Sequence, residues 1–289
     1  MTLTALQPRR SHILGLAPSG FHKVVYWEWG APDNPRVALC VHGLSRNGRD
    51  FDVLADALSS THRVIAVDMP GRGQSDWLAA PSDYAFPTYL ASLAALIARS
   101  GAEQVDWIGT SMGGLLGIVA ASQPQTPVRR LVVNDVGPAI EAAALARIAD
   151  YLGRDVSFAT YAEIEQYIRT ISAPFGPLGD QQWAHLTRSS VRQRNDGRWR
   201  LSYDPAIAIP FRQSPAPVNL WPLWDAIACP TLLLHGAQSD LLTRDTALAM
   251  ASRGPKPQLV EFEGVGHAPM LLSADQIDPV LRFLRAVSP

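Results

Sequence analysis

Short apolar runs rich in β-branched residues alternate with longer stretches of helical spacing along most of the chain. Residues 24–29 read as an early strand, stopped by Gly30-Ala31-Pro32-Asp33, and Val37–Val41 as a continuous apolar strand ending at His42-Gly43. Further strands are expected at 64–68, 105–108, 131–133, Thr231–Gly236 and Gln258–Phe262. Helical spacing fills 51–58, 89–99, 115–121 and 277–286, and Gly101 stops the second of these. Unbroken apolar strands separated by helices predict βαβ units and an α/β fold, its parallel sheet covered on both faces.

The pattern changes between 138 and 225, where Trp, Tyr, Pro and Arg accompany helical pieces and few strands. A connection of that length far exceeds an ordinary loop, so it predicts an inserted cap on a core made of 1–137 and 226–289. Pro210, Pro215, Pro217 and Pro222 mark its irregular exit.

Composition narrows the partners. With 289 residues, 47% of them hydrophobic, the chain can fill a sizeable core. A net charge of −1 gives no electrostatic case for nucleic acid or an anionic membrane. No stretch is long and apolar enough to span a bilayer. Arg9-Arg10 before the apolar residues 13–17 faintly resembles a twin-arginine export signal, but the segment is short and Pro18 interrupts it, so a soluble cytoplasmic protein is expected. Cys40 and Cys229 form no disulfide framework, and no CxxC or His-rich cluster suggests a metal.

The chemistry concentrates at a few turns. Gly109-Thr110-Ser111-Met112-Gly113, between an apolar strand and an apolar helix, matches the G-x-S-x-G nucleophile elbow. A sharp strand-to-helix turn strains the serine backbone and exposes its Oγ, and side chains at 109 and 113 would collide with that turn. Gly266-His267-Ala268 follows the last strand, and an imidazole there can take the Ser111 proton and pass it to a leaving group. Asp240, after the strand Thr231–Gly236, is the expected acid orienting His267, with Asp135, after the strand at 131–133, as the alternative. The backbone N–H groups of Leu44 and Met112 are the expected oxyanion donors, His42 a bracing residue, and Gly71-Arg72-Gly73 a structural turn. Arg46, Trp183, Trp221 and Trp224 are candidate substrate contacts, with Trp199 a further candidate wall.

Together, His42-Gly43, residues 68–75, 109–114, 236–240 and Gly266-His267 resemble the α/β-hydrolase superfamily, in that family's order and over nearly the whole chain. The resemblance implies a mostly parallel eight-stranded sheet with helices on both faces, a helical cap inserted after strand 6, and a triad that needs no cofactor. Ser111 at the nucleophile position disfavours dehalogenases and epoxide hydrolases, which place Asp there. The expected activity is hydrolysis of an ester or lactone through an acyl-serine. Cleavage of a C–C bond, or ligand reception without turnover, are the alternatives. The expected partner is a small acyl substrate, acted on by a monomer or homodimer.

Overall fold

In the computed structural model, residues 7–213 and 219–286 are described, the side chain of Gln213 excepted. Pro215 and Pro217 lie outside them. Eight strands form one sheet: β1 (Arg9–Ala17), β2 (Gly20–Trp29), β3 (Val37–Val41), β4 (Arg63–Val67), β5 (Val105–Thr110), β6 (Val128–Asn134), and, after the insertion, β9 (Thr231–Gly236) and β10 (Gln258–Phe262). Their order is β1-β2-β4-β3-β5-β6-β9-β10. Strands β1 and β2 run antiparallel to their neighbours; all other pairs are parallel.

Both faces of this sheet are buried, which is why its central strands read as unbroken apolar runs. On β3, Leu39 and Val41 pack with Leu93 and Leu96 of α2 (Phe86–Ser100) and Leu116 of α3 (Met112–Ala121). Ala38 and Cys40 point the other way, toward Leu54 and Leu58 of α1 (Asp52–Leu58) and the carboxyl-terminal helix Ala274–Arg285. Each such fully buried Val, Leu or Ile contributes about 1.5–3 kcal/mol.

The residues read as a faint export signal are strand β1. Ile13 and Ala17 face the core while Leu14 and Leu16 are exposed, so an alternation that should mark a strand carries apolar residues on both faces.

The connection between β6 and β9 carries α4 (Ala142–Tyr151), α5 (Tyr161–Ile171), α6 (Asp180–Ser190), the hairpin β7–β8 (Val191–Gln193 and Trp199–Leu201), α7 (Ala208–Gln213) and α8 (Trp221–Ala226). The hairpin was not expected from the sequence. Helix α8 crosses the boundary placed at 225, and its Trp224 is fully buried in the main core. After β9 come α9 (Arg244–Ser252), β10 and α10 (Ala274–Arg285).

Candidate active site

Strand β5 passes directly into α3 at Ser111, whose φ of 53° and ψ of −117° lie where few non-glycine residues are found. The glycines permit this. A Cβ on Gly109 would overlap the Gly113 carbonyl oxygen, and one on Gly113 would overlap that of Val41. The Ser111 N–H is tied to Asn134 O at 2.9 Å, which couples the elbow to the end of β6. Strain of this kind persists because the surrounding packing over-determines it.

His267, on the loop after β10, reaches back over the sheet. Its Nε2 lies 3.0 Å from Ser111 Oγ, and its Nδ1 lies 2.8 Å from Asp135 Oδ2. With Nδ1–H donating to the carboxylate, Nε2 is left bare to accept the serine proton. Asn134 Nδ2 donates to Thr110 Oγ1 at 3.0 Å and to Pro269 O at 2.8 Å, so one side chain ties the serine turn to the histidine loop.

The carboxylate facing His267 is therefore Asp135, the alternative named from sequence. Its backbone φ of 55° turns the side chain inward, and it is completely buried. Three donors compensate for its lost hydration: His267, Ser239 Oγ at 2.7 Å on Oδ2, and Gly236 N–H at 2.8 Å on Oδ1. Asp240, the preferred acid, is not near the imidazole. It is half exposed and forms a two-pronged ion pair with Arg147 of α4, Nη2 to Oδ1 being 2.7 Å.

The turn after β3 brings Gly43 against Ser111, and Leu44 lines the same cavity as Ser111. Met112 opens α3, and its N–H has no carbonyl one turn earlier in the helix to donate to. Leu44 is held from behind: its carbonyl accepts from Arg72 Nε at 2.8 Å. Arg72 is fully buried and also donates to Pro70 O at 2.6 Å and Tyr89 OH at 2.7 Å. His42 braces the same turn. Its Nδ1 donates to Gly43 O at 2.6 Å and its Nε2 accepts the Met69 N–H at 3.0 Å. Complete burial pushes His42 down to about 3, so it stays neutral.

A cavity with about 90 Å³ of water-accessible space opens beside Ser111. Its outer wall comes from the insertion, through Ile148, Tyr151, Ile168, Phe175, Leu201 and Tyr203. Arg46 lines it, with its guanidinium closed on Asp50 at 2.8 and 2.6 Å. The tryptophans are a correction. Trp183 sits in a separate apolar cluster with Ile164 and Leu186, Trp224 in the main core, and Trp221 beneath Arg253 at 4.5 Å, while Trp199 packs edge-on against Tyr161. None of them borders the cavity; their size suits core filling. Arg147, Tyr151 and Tyr203 were missed. The only sequence signal for them was their place in the insertion.

Among the described residues no helix is long and apolar enough to cross a membrane. Residues 37–274 match the family model described as the alpha/beta hydrolase fold. The chain is 46% identical over 279 residues to a 3-hydroxybutyrate-oligomer hydrolase of Cupriavidus necator, covering 93% of this chain and 95% of that one. It is 27% identical over 260 residues to a pimeloyl-[acyl-carrier protein] methyl ester esterase of Yersinia pseudotuberculosis, covering 86% and 92%. Among solved structures, an alpha/beta hydrolase from Novosphingobium aromaticivorans superposes with a TM-score of 0.86 at 35% identity, covering 97% of this chain and 99% of that one. The chain belongs to the alpha/beta hydrolase fold family and is a hydrolytic enzyme of that family.

Proposed function

We propose that this hydrolase cleaves short carboxylic esters of hydroxy acids through an acyl-Ser111 intermediate, with His267 as base and Asp135 as its acid. The observation that carries the reading is the unbroken relay of 3.0 and 2.8 Å contacts from Ser111 through His267 to Asp135.

His267 Nε2 takes the Ser111 proton as Oγ attacks the ester carbonyl. The Leu44 and Met112 amides take the charge that grows on the carbonyl oxygen, each worth about 3 kcal/mol in the transition state. Asp135 holds the imidazole and stabilises the imidazolium. The imidazolium then protonates the leaving alkoxide, and the same nitrogen activates the water that releases the acid. A small cavity favours short acyl groups, and the similarity to a hydrolase of 3-hydroxybutyrate oligomers supports hydroxy-acid esters as the class.

Ser111→Ala is expected to lower kcat on p-nitrophenyl butyrate by about a millionfold, with the thermal melt preserved. Turnover at the wild-type rate by purified variant protein overturns the mechanism.

A further inference from the structure

The cavity beside Ser111 is lined largely by apolar side chains on its insertion side, yet two arginines border it. They are held differently. Arg46 and Asp50 are a nearly buried pair, with side chains 13% and 8% exposed. Displacing Asp50 would strand a carboxylate away from water. Arg147 and Asp240 share the same two-pronged geometry but are 37% and 47% exposed. Water competes for both ends of such a pair, and Asp240 can turn outward and remain hydrated.

Tyr151 stands four residues after Arg147 on α4, and both line the cavity. That spacing puts the two side chains on one face of the helix. The phenol has no hydrogen-bond partner among the described residues, and the charges acting on it include Arg147, Asp240 and Arg46. Burial raises it above the usual phenol range, so it remains a proton donor. A guanidinium edge and a phenol O–H on one helix face are the donor set a carboxylate needs.

We propose that Arg147 and Tyr151 bind a free carboxylate at the end of the ester substrate, and that Asp240 is the resident counter-ion which that carboxylate displaces. The inference rests on the reading of Ser111 as an ester-cleaving nucleophile. It restricts the substrate class to short esters with an ionised terminus, such as linear dimers and trimers of a hydroxy acid. Arg147 and Tyr151 anchor the substrate; Asp240 acts only through Arg147.

The test compares the linear 3-hydroxybutyrate dimer with the same dimer carrying a primary carboxamide in place of its carboxylate, with p-nitrophenyl butyrate as reference. Wild-type enzyme is expected to favour the acid over the amide at least about tenfold in kcat/KM, chiefly through KM. Arg147→Gln should erase most of that preference, Arg147→Lys should restore part of it, Tyr151→Phe should reduce it a few-fold, and Asp240→Asn should increase it. Equal rates on acid and amide in the wild type, or an Arg147→Gln variant slowed alike on both, overturn the proposal while leaving the hydrolase reading in place. Wild-type protein that turns over neither the dimer nor the p-nitrophenyl ester overturns the hydrolase reading, and this proposal with it.

Discussion

The turns that follow β6 and β9 each carry an aspartate, and the two strands are parallel neighbours in the sheet. Asp135 is sealed from water, turned inward by a positive φ and held by three donors. Asp240 stands half exposed against Arg147. The sheet offers both turns to the histidine loop, and the contrast shows that strand order alone does not assign the acid. Backbone handedness and a supporting shell do. Gly236 at the end of β9 and Ser239 in the turn after it donate to Asp135, so the turn expected to supply the partner of His267 instead holds the carboxylate that faces it.

Exchanging each carboxylate for an amide gives the largest expected effect. Asp135→Asn should lower kcat on p-nitrophenyl butyrate by about 10⁴, because an amide favours the wrong imidazole tautomer. Asp240→Asn should change it by less than about tenfold. Equal losses in the two variants would mean that the loops rearrange in solution and break the contrast. Ser239→Ala sharpens it at the next level. Removing one hydrogen bond to a charged group is worth about 1.5–3 kcal/mol, so a loss of about ten- to a hundredfold in kcat is expected, and wild-type kcat would show that Asp135 is held without its neighbour's turn.

Much of this architecture was legible. Val37–Val41 and Thr231–Gly236 have the expected bounds because strands buried on both faces leave an unmistakable apolar run, and the edge strand Gln258–Phe262 has them as well although only Phe262 is buried. Ser111 stood out because Gly109 and Gly113 have no room for a Cβ. Strand β1 did not, because Leu14 and Leu16 lie on its solvent face. The choice between Asp135 and Asp240 was not legible for a physical reason: both residues occur in turns, and which way a carboxylate points depends on a φ that asparagine and aspartate adopt more readily than most residues. Asn134-Asp135 was the available hint. In the insertion, apolar content identified helices but not the faces turned to the cavity, so large tryptophans were favoured over Ile148, Tyr151 and Phe175.

The turn after β3 extends the comparison to a buried polar side chain that makes no proton transfer in the proposed mechanism. His42 sits at about 3 in the fold against an ordinary 6.5, so the folded state resists protonation that the unfolded chain accepts. Its contribution to stability is full above pH 6.5 and is lost as pH falls toward 3. Asp68, pushed up to about 6 by burial, works in the opposite direction between about pH 4 and 6. That term is common to wild type and a His42→Gln variant, and cancels in their difference. Glutamine can keep both contacts of the imidazole, to Gly43 O and from Met69 N–H. Urea unfolding at pH 7, 6 and 5 should show the wild type losing about 1.4 kcal/mol per pH unit relative to His42→Gln below pH 6.5. Parallel pH profiles would mean that His42 is protonated in the fold.

The smallest effect expected is on the stability of the β9 turn. An exposed ion pair contributes about 0.2–1 kcal/mol, because each charge regains water when its partner leaves. Asp240→Asn should therefore lower the unfolding free energy by less than about 1 kcal/mol by urea titration. Asp135→Asn should cost more than that, since the new amide presents N–H groups to a site already filled with donors, and one of them stays unpaired. The two midpoints, taken with the two kcat values, ask whether one carboxylate dominates both stability and rate. A cost for Asp240→Asn matching that of Asp135→Asn would mean that the Arg147–Asp240 pair clamps the insertion to the core, and is no readily displaced contact at the cavity edge.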